Sequence, residues 1–256
     1  ATPRHTRNYT KGCLIVQFHK YHALGNDYIV LDPIEIECAL TPEAIRQLCH
    51  RHCGIGSDGI LLGPLTPGSD DFARLASAAG ALDTGGVCCG LRIFNPDGSE
   101  AEKSGNGLRI FCRHLWDTKC VSADPFRLLT LGGLVGCTVL EQGRAVRVEM
   151  GCVSFDSAQI PVVGPSREVI NETIDVVGES LVFCAATVGN PHCVILRDAI
   201  SESETCRLGP PLEIDPRFPN RTNVQFMHVC DRNNIAIEIW ERGAGYTLAS
   251  GSSASA

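Results

Sequence analysis

No apolar run in the 256 residues approaches the roughly 18 that a membrane-spanning helix needs, so none is expected. A basic excess is also missing. Twenty-two Lys and Arg stand against 29 Asp and Glu, for a formal net charge of −7, and no basic stripe occurs. That balance gives no electrostatic reason to expect nucleic acid. The 14 cysteines form no CxxC pair and no paired metal knuckle. Most sit in apolar surroundings such as "RIFCRHL" and "LVFCAAT", where cysteine serves as a small buried hydrophobe. Reduced thiols are therefore expected rather than a disulfide scaffold. "CHRHC" at 49–53 could offer sulfur and imidazole to a metal, but no second half-site follows, and no metal is expected. The opening "ATPRHTRNYTKGC" is basic and free of acids but lacks the apolar core of a secretion signal, so residues 1–13 are expected to be a disordered tail. What these absences leave is a soluble, cytoplasmic protein, 44% hydrophobic and 20% charged. The length suits one large domain or two of about 120 residues.

Strand signals dominate what is present. "LIVQFHKYH" and "YIVLD" read as short strands around the turn "ALGND". "TPEAIRQLCHRH" reads as a helix with Thr41 at the N-cap and Pro42 in the first helical position. "GIGSDGILLG" is a glycine-rich turn into a buried strand. Residues 65–89 show no clear period and are expected to form a long loop insertion. After the strand "GLRIFN", the stretch "GNGLRIFCRHLWD" places Leu108, Phe111, Cys112 and Leu115 at helical spacing. The pattern restarts after "FRLLTLGGL". "RAVRVEMG", "LVFCAATVGNPHCVIL", "RTNVQFMHV" and "NNIAIEIWERGAG" all read as strands, and the chain then reaches "SGSSASA". Each half is thus strand-rich and leads to a Ser-Gly turn. The expected organisation is α+β with two similar lobes, 14–132 and 133–256.

Two serines mark the corresponding points, Ser104 in "KSGNG" and Ser250 in "ASGSS". A glycine-rich turn entering a helix offers backbone N–H groups and the positive end of the helix dipole, which together favour an anion. Two such ends could clasp one carboxylate, with a serine on either side of a tetrahedral carbon. That is the arrangement a racemase needs, one group removing the α-proton and the other returning it from the far face. Spacing alone is equally met by a pair of good capping sequences.

The segments "FHKYHALGNDYIVLD", "RHCGIGSDG", "RIFNPDGSEAEKSGNG", "GNPHC", "RTNVQF" and "ERGAGYTLASGS", in this order, closely resemble the signature segments of the diaminopimelate epimerase family. The resemblance implies two similar lobes, each a mostly antiparallel sheet wrapped around a central helix, with the active site in the cleft between them. It implies cofactor-independent epimerisation of LL- to meso-diaminopimelate in lysine biosynthesis, by two-base proton transfer at Cα. The partner expected is a small amino-acid substrate, with no nucleic acid and no membrane; a homodimer is left open. Carried over position by position, Asn26, Asn95, Asn190, Asn223 and Arg242 match the substrate-gripping residues. The backbone of Gly105, Asn106, Gly251 and Ser252 matches the carboxylate clasp, and His192 and Glu241 match the acid–base partners.

Two departures stand out. The family's two catalytic cysteines are replaced by Ser104 and Ser250. A thiol of pKa about 8.5 can be tuned towards neutrality, whereas a serine hydroxyl is a poor base unless a neighbour takes its proton. The pair therefore fits a working variant, an isomerase of another small acid using other bases, or a ligand-binding homologue with impaired catalysis. The phenazine-pathway and methylaconitate isomerases are similar folds without the cysteine pair. In addition, the family continues beyond the second motif with the rest of a central helix. A lobe short of that helix is expected to leave apolar sheet exposed.

Overall fold

Alternating apolar residues make two separate sheets, one in each of two compact units that divide after Met150. In this computed structural model, residues 17–36, 39–81 and 83–256 are described; the expected tail 1–13 lies outside them. No helix among the described residues is long and apolar enough to cross a membrane.

The first unit runs β1 (His19–Ala23), β2 (Asn26–Leu31), α1 (Pro42–Cys49), β3 (Ile60–Leu65), α2 (Asp70–Ala78), β4 (Val87–Phe94), β5 (Glu100–Ala101), α3 (Gly105–Asp117), β6 (Phe126–Thr130), β7 (Gly133–Leu140) and β8 (Ala145–Val148). Its sheet order is β1-β2-β3-β4-β6-β7-β8, with β5 paired to β4. The β2–β3 and β4–β6 pairs are parallel and the others antiparallel. Helix α3 contacts β1 and β2 at one end of that order and β7 and β8 at the other. A sheet whose two ends touch one helix must curl around it. The helical spacing read from the sequence explains why: Leu108, Phe111, Cys112 and Leu115 are fully buried, packed among Tyr28, Val30, Leu91, Val135 and Val139.

Two expectations for this unit are corrected. The boundary falls after Met150 rather than at 132–133, because β7 folds back on β6 as a hairpin from Phe126↔Cys137 to Thr130↔Gly133 and β8 pairs β7. Residues 65–89 are not a long loop. Ser69 caps α2 by accepting the Phe72 N–H at 3.2 Å, Asp70 and Asp71 suit the positive helix end, and Phe72 and Leu75 enter a small core with Leu65, Val87 and Leu129.

The second unit runs β9 (Glu172–Val176), β10 (Glu179–Thr187), β11 (Pro191–Leu196), α4 (Glu202–Glu213), β12 (Asn223–Asp231), β13 (Asn234–Glu241) and β14 (Gly245–Thr247). Its sheet order is β14-β13-β12-β11-β10-β9, antiparallel except where α4 carries the chain between the parallel pair β11–β12. Leu208 and Leu212 of α4 pack with Phe183, Ile195, Val224 and Phe226 on one face. Gly209 is required there, because a Cβ would lie 2.6 Å from Trp240 Cβ. On the opposite face Val182, Leu196, Val229 and Ile235 are each at least half exposed, at 56%, 62%, 50% and 50%.

Since the first sheet closes on Phe111, the substitution Phe111→Ala is expected to cost about 3–5 kcal/mol of unfolding free energy in denaturant titration. A loss below about 1 kcal/mol would show that the sheet does not rest on that ring.

Candidate active site

In the first unit the site residues gather where β2 and α3 begin. Ser104 is extended (φ −140°, ψ 118°) and caps α3: its Oγ accepts the Gly107 N–H at 3.0 Å and its carbonyl the Leu108 N–H at 2.8 Å. The first-turn N–H groups of Gly105 and Asn106 are not used by the helix ladder. Tyr28 OH lies 3.1 Å from Ser104 Oγ. Gly59 makes room for that ring, since a Cβ there would stand 2.6 Å from it. The buried Asn26 donates from Nδ2 to Asp58 Oδ2 at 3.0 Å and accepts from Asn106 Nδ2 at 3.2 Å. Asp58 is itself held by Arg51, which also bonds Asp27. Burial pushes the Asp27 carboxyl up, but hydrogen bonds and charge from Arg51 and Lys20 outweigh it and hold the group below its ordinary value. Asn95 is buried as well, but its amide bonds Ser99 Oγ at 3.0 Å rather than the other candidates. The "CHRHC" stretch serves a local purpose. His50 Nδ1 accepts the N–H groups of His52 and Cys53, which closes the turn after α1.

The second unit repeats the serine cap atom for atom. Ser250 Oγ accepts the Ser253 N–H at 3.3 Å and its carbonyl accepts the Ala254 N–H at 3.2 Å. Residues 250–254 thus form a helical turn, with Gly251 and Ser252 where α3 has Gly105 and Asn106. Ser250 Oγ also lies 3.3 Å from Ser252 Oγ. Asn190 Nδ2 donates to Ser252 Oγ at 3.4 Å, and Asn190 Oδ1 stands 3.0 Å from His192 Nε2. The other ring nitrogen, Nδ1, is 3.1 Å from Gln225 Oε1, and Gln225 Nε2 donates to the Ser253 carbonyl at 3.1 Å. His192 is wholly buried. Burial pushes its pKa down to about 4 with help from the Arg242 charge, against an opposing hydrogen bond to Gln225. The ring is therefore neutral at pH 7. Two buried hydroxyls, Ser253 Oγ in this turn and Thr247 Oγ1 on β14, have no hydrogen-bond partner among the described residues.

Asn223 and Arg242 form a second cluster. Asn223 Nδ2 donates to the Pro191 carbonyl at 2.9 Å and its Oδ1 accepts the Arg242 N–H at 3.0 Å. The turn 241–245, with Gly243 and Gly245 at positive φ, is hung on α4. The buried Glu213 accepts the Gly243 N–H at 2.9 Å and the Trp240 indole N–H at 2.7 Å, and pairs with Arg221. Glu241 closes β13 on this turn, its carbonyl accepting the Ala244 N–H at 3.1 Å. Among the described residues no three His, Cys, Asp or Glu side chains gather as a metal site.

Each unit therefore carries a helix-opening serine backed by buried amides. Tyr28, Asp58, Glu213 and Gln225 belong to these clusters, yet periodicity did not mark them. Only strand register brings them in: His192 is paired with Asn223 on parallel strands, which puts Gln225 on the same face as the imidazole.

The architecture is that of the proline racemase and epimerase type of fold. A hydroxyproline epimerase from Agrobacterium vitis aligns with a TM-score of 0.62 at 14% identity, covering 93% of this chain and 73% of its own. A probable proline racemase from Agrobacterium radiobacter aligns at 0.61 and 15%, covering 90% and 72%. The diaminopimelate epimerase family model matches residues 18–155 and 184–256, and the chain belongs to that family. "Diaminopimelate epimerase 2" of Nostoc sp. is 57% identical over 241 residues, 94% of this chain and 79% of the relative. The diaminopimelate epimerase of Moorella thermoacetica is 38% identical over 94% of this chain and 81% of its own length.

Unfolded His192 takes a proton near pH 6.5, whereas the folded chain refuses it until about pH 4. Its contribution to stability is complete above 6.5 and is lost as the pH falls towards 4, a total of roughly 3 kcal/mol. Denaturant titrations of the parent chain and His192→Gln should differ by that slope. Parallel profiles would mean that the imidazole is not held neutral.

Proposed function

We propose that this chain is a cytoplasmic, cofactor-independent epimerase that interconverts LL- and meso-diaminopimelate, with Ser104 and Ser250 in the two acid–base positions. One serine, as its alkoxide, takes the α-proton and becomes the hydroxyl, the electron pair is delocalised onto the substrate carboxylate, and the other serine's hydroxyl gives its proton to the carbon and is left as the alkoxide. The N–H groups of Gly105, Asn106, Gly251 and Ser252 stabilise the charge that develops on the carboxylate. Asn26, Asn95, Asn190, Asn223 and Arg242 grip the rest of the amino acid, and His192 and Glu241 assist proton transfer.

The observation that carries this reading is the repeated cap. Both serines place Oγ on the N–H three residues ahead, at 3.0 Å from Gly107 and 3.3 Å from Ser253. A donated N–H and the positive helix end both favour an anionic side-chain oxygen at that point. The unpartnered hydroxyl of Ser253 supports a polar ligand at the second turn.

A second reading is favoured by one detail. The side-chain partners of the two serines are themselves hydroxyls, Tyr28 OH and Ser252 Oγ, and neither is a base that would remove the serine proton. A homologue that binds the amino acid and transfers its proton poorly would look the same.

Incubation of the chain with LL-diaminopimelate in D₂O should place deuterium at Cα, read by loss of the proton resonance. The double variant Ser104→Cys/Ser250→Cys should exchange at least roughly a hundredfold faster, because a thiol reaches its anion far more readily. Exchange in the double variant alone selects the second reading. No exchange in either well-folded protein ends the proposal.

A further inference from the structure

The hydrogen bonds around His192 close on themselves. From the Ser253 N–H they pass to Ser250 Oγ, Ser252 Oγ, the Asn190 amide, the His192 ring and the Gln225 amide, and return to the Ser253 carbonyl. One member sets the sense of the whole circuit. Gln225 is 1% exposed, and its Nε2 is committed to the Ser253 carbonyl, which can only accept. Its Oε1 must then face His192 Nδ1, as it does at 3.1 Å. A neutral imidazole donates through one nitrogen only, so the proton sits on Nδ1 and Nε2 keeps its lone pair.

We propose that Gln225 is a positioning residue of this site, which fixes His192 as the Nδ1–H tautomer and ties it to the helical turn that Ser250 opens. The acceptor Nε2 calls for a donor, and the Asn190 amide stands 3.0 Å away. As placed, Oδ1 faces that lone pair, but the Ser252 hydroxyl can donate as well as accept, so the Asn190 amide can be exchanged end for end without losing a partner. Nδ2 then meets Nε2, and Oδ1 accepts from the Ser252 hydroxyl. Every group then donates to the next, from Ser250 through Ser252, Asn190, His192 and Gln225 to the Ser253 carbonyl. Such head-to-tail chains polarise one another in a buried site. The arrangement orients protons and does not relay one, since the two amides hold theirs. Its effect is to turn the Ser250 hydroxyl hydrogen towards Ser252 Oγ, while the buried serine oxygen accepts the Ser253 N–H.

The assignment of Gln225 as helping epimerisation rests on the function proposed above; the tautomer itself does not. The test is therefore read first by ¹⁵N NMR of the whole chain labelled at histidine, with the His192 signals identified by their loss in His192→Gln. At pH 7 the parent should show a protonated Nδ1 and an unprotonated Nε2. The apolar, similarly shaped Gln225→Met should lose that preference and populate the Nε2–H form. Gln225→Glu puts a negative acceptor on Nδ1, opposing the positive Arg242 that acts on this ring, and should raise the pH of its titration by more than one unit. Cα exchange in D₂O should fall at least roughly tenfold in Gln225→Met. An Nε2–H ring in the parent overturns the proposal outright, without reference to any variant. An unchanged tautomer in Gln225→Met together with an unmoved titration in Gln225→Glu overturns it too. A parent with the Nδ1–H tautomer but no exchange upholds the positioning and counts against the epimerase reading alone.

Discussion

The hydrogen bond from a helix's first turn to the side chain that caps it governs most of this chemistry. An N–H aimed at Oγ, with the positive helix end behind it, stabilises negative charge on the capping atom. For a thiol, whose free pKa is about 8.5, that help suffices to make an anion near neutrality. For a hydroxyl it does not, and the same geometry mainly secures the helix start. Ser104 and Ser250 keep the geometry, with bonds to Gly107 and Ser253, while changing the atom. The scaffold is that of an epimerase. What the serines alter is how readily the capping atom becomes an anion.

Around those turns the polar groups are arranged so that few are free to move. Asn26 is fixed by Asp58 and Asn106, and Asn223 by Pro191 and Arg242. His192 has an amide on each side. Buried amides of this kind reduce the reorganisation that would otherwise accompany charge development in a reaction. The core carries the same logic in apolar form: α3, which Ser104 opens, is also the helix around which the first sheet closes.

The sequence was legible where pattern and local chemistry agree. Thr41 and Pro42 start α1, and the spacing of Leu108, Phe111, Cys112 and Leu115 gives α3 its buried face. The Ser-Gly turns were legible from composition, and their likeness to the epimerase family supplied the asparagines, His192, Glu241 and Arg242. Other features were hidden for physical reasons. Helix α2 is short and built of small residues, and only Phe72 and Leu75 mark its face. Helix α4 holds Pro210 and Pro211, which blur any helical reading. The break after "FRLLTLGGL" looks like a boundary because glycines turn the chain, yet those glycines make a hairpin within one sheet. Tyr28, Glu213 and Gln225 act across strands, and no one-dimensional period encodes which strand lies beside which.

Glu213 gives the second unit a feature of another kind. It holds Gly243, Trp240 and Arg221 from within α4, and Gly209 one turn earlier lets that helix lie against Trp240. The pose of the loop bearing Arg242 is thus inherited from helix packing rather than set by the loop itself. A change in how α4 packs would therefore also shift the loop from which the Arg242 guanidinium projects.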